Sequence, residues 1–312
     1  MSDTPESLDT ARAGRARGVA YGLSAYLIWG FFPLFFRTLA GVPPTEVLAH
    51  RILWAALFLL GLVLATGSGR QLRAAVTTPR TLAALGCSTV LICTNWFVFL
   101  HAVDSGQVLQ TSLGYFITPL VSVLLGGLVL GERLRRLQAA SVALAVLGVG
   151  VQAWLVGEVP AIALVLAGSF GAYGLVRKLT GVRAVIGLTV EASLLSPFAL
   201  AFMLYLWRSG ASSFLVGDQR INLLLVLSGA VTAAPLILFG VAMLRLRLGT
   251  MGLLQYLVPT MHFLTAVFAF GEPFTGAHLV SFACIWTGLA IYTWDGLRGV
   301  PGQDSQGRTK QT

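Results

Sequence analysis

Apolar residues fill ten successive segments of this chain, at 18–37, 46–66, 80–103, 107–130, 136–155, 160–177, 184–207, 221–243, 248–270 and 275–294. Each is roughly 20 residues long, enough to cross the ~30 Å hydrocarbon core of a bilayer at about 1.5 Å per helical residue. No water reaches that core, so a crossing segment must satisfy its own backbone N–H and C=O groups as a helix. The expected fold class is therefore all-α: a polytopic membrane protein with ten transmembrane helices. Charged residues make up 11% of the 312, against about 25% in a soluble domain, and mean hydropathy is +0.82. That balance excludes a water-soluble fold and the soluble enzyme classes with it.

The formal charge of +9 does not point to nucleic acid, because the basic residues sit between the apolar segments rather than along one face. They report topology. With the N-terminus in the cytoplasm, the inside segments hold Arg12, Arg15 and Arg17; Arg70, Arg73 and Arg80; Arg133, Arg135 and Arg136; Arg177, Lys178 and Arg183; Arg245 and Arg247; and Arg298, Arg308 and Lys310. The outside segments hold only Arg37, Arg208 and Arg220, while Arg51 lies within the second span. The positive-inside rule then puts both termini in the cytoplasm. The run from Gly18 to Phe36 exceeds the ~7 to 15 residues of a signal-peptide core, so it reads as an uncleaved first span. Residues 1–17 and 297–312 are polar and expected to be disordered cytoplasmic tails. Cys87, Cys93 and Cys284 lie in apolar stretches without ligand spacing, so neither a metal nor a cofactor is expected.

The two halves repeat. At an offset of 140, Leu113, Pro119, Leu124, Gly131 and Glu132 superpose on Leu253, Pro259, Leu264, Gly271 and Glu272, and Phe99 and Ala102 fall on Phe239 and Ala242. Five spans separate the copies, and an odd number turns the second copy upside down. Residues 18–155 and 156–296 thus read as two inverted five-helix repeats, the arrangement on which alternating access rests.

Several stretches carry a family resemblance: AYLIWGFFPLFFR (25–37), EVLAHRILWA (46–55), NWFVFLHAV (95–103), SLGYFITPLVSVLLGGLVLGERLRRLQ (112–138), AYGLVRK (172–178) and LQYLVPTMHFLTAVFAFGEPF (254–274). Together, over roughly residues 18–295, the chain resembles the RarD group of EamA-type permeases in the drug/metabolite transporter superfamily. The resemblance implies a ten-helix bacterial cytoplasmic-membrane carrier of two EamA-like repeats with a central cavity. It also implies diverse small metabolites as substrates, and members of the group are commonly labelled chloramphenicol-sensitivity proteins. The chain departs from the group's pattern at Thr118 and Ser122.

Polar groups at mid-membrane depth are costly, so each is a functional candidate. Tyr115 and Pro119 lie about 12 and 18 Å into the fourth span, on one face. Proline frees the carbonyl four residues back, and such broken backbone is tolerated where it lines a cavity. The ninth span offers Gln255, Pro259 and His262 on one face. These two faces are the expected solute cavity; the plainer reading is bent helices packing through interhelical hydrogen bonds. Glu46, His50 and Trp54 share a stripe of the second span. Arg51 either snorkels to the interface or faces inward to pair with Glu46 or an anionic solute group. Asn95 and Trp96, with Trp29, add a polar and aromatic wall. His262 invites proton coupling, but no Asp or Glu falls at mid-depth in any span.

The expected function is secondary transport of a small organic solute, without covalent chemistry; the expected partners are that solute and the lipid bilayer, not nucleic acid. No P-loop is present for ATP-driven transport. The alternatives are a membrane-embedded lipid enzyme, which would need clustered acidic motifs, and a non-transporting structural or regulatory subunit. Impermeant labelling of tags at the two termini in intact cells should leave both unmodified; termini on opposite faces would dissolve the inverted symmetry.

Overall fold

The computed structural model describes residues 5–131, 135–216, 218–243, 245–246, 251 and 254–298. Its elements in order are α1 (Pro5–Gly30), α2 (Phe32–Arg37), α3 (Pro44–Ala65), α4 (Gly69–Thr77), α5 (Pro79–Asp104), α6 (Val108–Leu130) and α7 (Arg136–Val156). There follow α8 (Ala161–Thr180), α9 (Ala184–Ser209), α10 (Gln219–Met243), α11 (Leu257–Leu264), a π-helical turn over Thr265–Ala269, and α12 (Gly276–Arg298). Among the described residues, nine helices are long and apolar enough to cross a membrane, and the shorter apolar helix Leu257–Ala269 falls in the ninth expected span. Part of that span, together with Glu132, Arg247 and the tail from residue 299, lies outside the described residues.

Proline sets several of these boundaries. It opens α3 at Pro44 and α5 at Pro79, positions where its missing N–H costs nothing. Near the start of α2, Pro33 interrupts the first span, and the chain turns at Phe31 before continuing as helix. Gly157 and Gly210 end α7 and α9 in the left-handed conformation that L side chains resist. Large apolar side chains such as Leu64, Trp154 and Phe198 point outward, as in a protein solvated by lipid.

Two segments hold helix where the sequence reading placed none. Residues 5–17, expected to be disordered, extend α1; the segment mixes alanine and arginine, both good helix formers, and continues directly into an apolar helix. Residues 69–77, read only as a basic inside segment, form α4. It tucks Leu72 and Ala75 against Leu85, Ile186 and Val190 while Arg70 and Arg73 stay exposed. Nine residues are too few for a spanning signal, so only tertiary contact reveals that helix.

By contacts the chain divides into two compact units, residues 1–118 with 161–273 and residues 119–160 with 274–312. These are not the sequence halves. Within the first unit, helices from both halves interleave: α1 packs on α10 and α11, α3 on α9 and α10, and α5 on α8 and α9. Gly229 permits the α3–α10 crossing, since a Cβ there would overlap Trp54 and the backbone of Ala55. In the second unit α7 packs along α12. Cβ atoms at Gly148 and Gly288 would each come within 2.9 Å of a carbonyl oxygen, of Ser281 and Ser141 respectively. Small residues at these crossings let backbones approach and gain dispersion contact.

At one end of the first unit, Glu272 caps α6. Its carboxylate accepts the backbone N–H of Val108 at 2.6 Å and of Leu109 at 2.7 Å, satisfying donors that a helix N-terminus leaves free. Nearby, the Arg37 guanidinium donates to the carbonyls of Val103 and Asp104 at the end of α5 and stacks over Phe270. Burial pushes the Glu272 carboxyl above its ordinary range, outweighing the two amides and Arg37, which push it down.

Two outcomes follow. Gly229→Ala should destabilise the detergent-solubilised protein by about 1–3 kcal/mol through overpacking, whereas Gly61→Ala, with open space around it, should leave the melting temperature unchanged. A raised folded-state carboxyl holds its proton more tightly than the unfolded chain does. Stability should therefore fall as pH rises from the ordinary carboxylate value toward the raised one. Melting curves of Glu272→Gln across that window should lose this slope and show a cost of about 1 kcal/mol for the weakened cap.

Candidate functional site

Several buried polar side chains of the first unit form one connected cluster. Its cation is Arg51, in α3, only 3% exposed. The guanidinium carbon lies 4.5 Å from the centroid of the Trp96 ring, 5.2 Å from Phe36 and 5.5 Å from Phe32. Three aromatic faces thus hold a desolvated charge, each contact contributing about 1–2 kcal/mol. Arg51 Nε donates to Thr232 Oγ1 at 2.8 Å. Arg51 therefore faces the protein interior rather than snorkelling. It is also not paired with Glu46, whose Oε1 accepts the Ser213 N–H at 2.8 Å and the Ser212 hydroxyl at 3.0 Å.

Phe99 joins this cage to a hydrogen-bonded network. Its ring lies 6.0 Å from Phe36 and 5.6 Å from the His262 imidazole. His262 is fully buried and engaged through both nitrogens, with Nδ1 3.0 Å from Thr111 Oγ1 and Nε2 3.2 Å from the Trp29 carbonyl. Pro33 lacks the N–H that would otherwise take the Trp29 carbonyl four residues back, so the break in the first span frees an acceptor for His262. A carbonyl only accepts, which puts a hydrogen on Nε2, while Nδ1 shares the Thr111 hydroxyl with the Val108 carbonyl, which that hydroxyl meets at 2.8 Å.

Tyr115 packs edge-on against His262, with 5.6 Å between centroids, and donates its hydroxyl to Asn95 Oδ1 at 3.3 Å. Asn95 Nδ2 in turn donates to the Leu166 carbonyl and to Ser169 Oγ, both at 3.1 Å. Ser112 donates to the Pro259 carbonyl at 2.8 Å, tying α6 to α11. A π-helical turn follows at once, a distortion frequent at functional sites.

A second buried group was not singled out as a site from sequence. Glu191, in α9 and fully enclosed, accepts the Ser88 hydroxyl at 2.5 Å and the Tyr173 hydroxyl at 3.2 Å, with Arg177 Nη1 at 3.7 Å. Gly187 makes room for that guanidinium, which a Cβ would overlap. Tyr173 and Arg177 stand one helical turn apart in α8, the only signal in the sequence that they share a face.

Of the sequence-predicted residues, then, Arg51, Asn95, Tyr115, His262 and Trp29 are brought together, Trp29 through its carbonyl. Trp96, Phe36, Phe99, Thr111 and Thr232 complete the cluster. Pro119 lies one turn beyond Tyr115 in α6, and Gln255 is half-buried just before α11. His50 stands apart: its Nδ1 accepts the Trp54 indole N–H at 3.2 Å and its ring packs 4.6 Å from Phe214.

The EamA-like transporter family model matches residues 16–153. The protein named RarD of Salmonella typhi is 43% identical over 281 residues, covering 90% of this chain and 96% of that protein. An uncharacterized transporter of Vibrio cholerae is 40% identical over 298 residues, 96% and 97% of the two chains. A protein of Pseudomonas aeruginosa named chloramphenicol-sensitive protein RarD is 34% identical over 298 residues, 93% and 98%. A solved crystal structure, 24% identical, aligns over 90% of this chain and 98% of that one with a TM-score of 0.57, a likeness of fold. Apolar helices, interior polar network and relatives spanning nearly the whole chain lead to one conclusion: this chain belongs to the RarD-type permeases of the EamA-like transporter family.

Proposed function

We propose that the protein moves a small organic solute across the bacterial cytoplasmic membrane by alternating access, as two inverted five-helix repeats with both termini cytoplasmic. The reading rests above all on the spacing of helix starts. Pro44, Pro79 and Arg136 open α3, α5 and α7; Ala184, Gln219 and Gly276 open α9, α10 and α12. Each pair is separated by the 140 residues that also separate Pro119 from Pro259.

Helix packing supports the same exchange. The pairs α3–α9 and α7–α12 each join an element to its own counterpart, while α5–α8 matches α10–α1, and α3–α10 matches α9–α5. Two inverted copies in slightly different conformations supply two states by trading roles, which is the physical content of alternating access. In this reading the solute passes the cluster of Arg51, Asn95, Tyr115 and His262, the proline-broken helices provide the adjustable backbone, and Gln255 and Pro259 line the same path. A charge held within the membrane is functional by default because its burial is expensive.

Metabolite profiling of cells with and without the protein identifies solutes to test, and flux of at least one should be reproduced in proteoliposomes. Folded, reconstituted protein that moves none of them would reject transport. In a background lacking Cys87, Cys93 and Cys284, single cysteines at Tyr115 and Gln255 should react with water-soluble thiol reagents and be protected by the transported solute; inert positions would reject this path.

A further inference from the structure

Arg51 is the one charge of the cluster, and its hydrogen-bonding capacity is not filled. Nε is taken by Thr232, but Nη1, enclosed by protein, has no hydrogen-bond partner. The aromatic rings, with centroids 4.5 to 5.5 Å from the guanidinium carbon, hold the charge but offer no oxygen or nitrogen acceptor to Nη1. Nor is there a counter-charge: among the described residues the acid–base pairs are Arg135–Asp295 and Arg177–Glu191. A buried cation without an anion carries a cost of several kcal/mol, and a guanidinium fork matches a carboxylate.

The repeat sharpens this. Arg51 and Glu191 are 140 residues apart and so occupy equivalent places in the two halves. Glu191 is partnered from within the protein by Ser88, Tyr173 and Arg177. At the same architectural position, Arg51 is left with an open donor inside an aromatic cage.

We infer that Arg51, with Trp96, Phe32 and Phe36, is the binding site for the carboxylate of an organic monoanion with an aromatic or bulky apolar body. The single cation sets the charge, because a phosphate dianion would need a second positive group. The three rings set the body, offering stacking and apolar contact beside the fork. This assignment rests on the transport reading and names the substrate class of its path.

The test uses purified full-length protein, with 3-phenylpropionate and its neutral amide as probes. Wild type should bind the acid about tenfold or more tightly than the amide, the scale of a charge-assisted hydrogen bond. Arg51→Gln should erase that preference and Arg51→Lys retain part of it. Equal binding of acid and amide by wild type, or an unchanged preference in Arg51→Gln, would overturn the site. Should Arg51→Gln not fold, phenylglyoxal modification of wild type decides. Protection of Arg51 by the acid but not the amide supports the site; equal modification, or an Arg51 that never reacts, overturns it. Flux is scored separately in proteoliposomes. Transport of a solute without carboxylate preference ends this inference and leaves the transporter standing, whereas Arg51-dependent acid binding without flux of any solute does the reverse.

Discussion

A polar atom below the headgroups must find its partner inside the protein, and this one constraint organises the structure. Where the chain is regular helix, the backbone meets it locally. Where proline breaks the ladder, the freed group has to be met from elsewhere. Pro33 releases the Trp29 carbonyl, His262 takes it, and His262 is held in turn by Thr111. One deliberate interruption thereby ties α1 to α11 and α6. The same economy appears at the end of the first unit, where Glu272 receives the first amides of α6 and Arg37 the last carbonyls of α5.

Charge is handled by the same logic with two different solutions. Glu191 is surrounded by hydroxyls and a guanidinium, so its negative charge is met by donors. Arg51 is surrounded by ring faces, which stabilise a cation without exhausting its N–H groups. Among the described residues, Glu191 has a basic side chain within ion-pair distance and Arg51 has no acidic one.

Much of the cluster was legible before folding. Tyr115, Asn95 and His262 stood out because polar side chains in apolar segments are rare and expensive. The partners that orient them did not stand out. Phe99, Phe36 and Thr111 are ordinary in a membrane helix, and only their meeting makes a cage and a bridge. Glu191 is a carboxylate inside an apolar segment, yet its pairing with Ser88 joins residues more than one hundred positions apart, which no local pattern encodes. His50 and Arg51 are adjacent in sequence, but the roughly 100° step between neighbouring helical residues sends them to different surroundings.

Periodic hydrophobicity by itself determined that the chain is helical and membrane-embedded, because segment length and apolarity act through the bilayer and need no tertiary contact. Residue identities such as Pro119 and Pro259, or Gly131 and Gly271, carried the 140-residue recurrence. Tertiary structure alone decided that Arg51 turns inward to an aromatic cage instead of toward Glu46, that the sequence halves interleave within a compact unit, and that a proline-freed carbonyl is claimed by a histidine 233 residues away. Those outcomes depend on which helix faces which, a choice made by packing of small residues and by the need to satisfy buried polar atoms, and neither is written in any single segment.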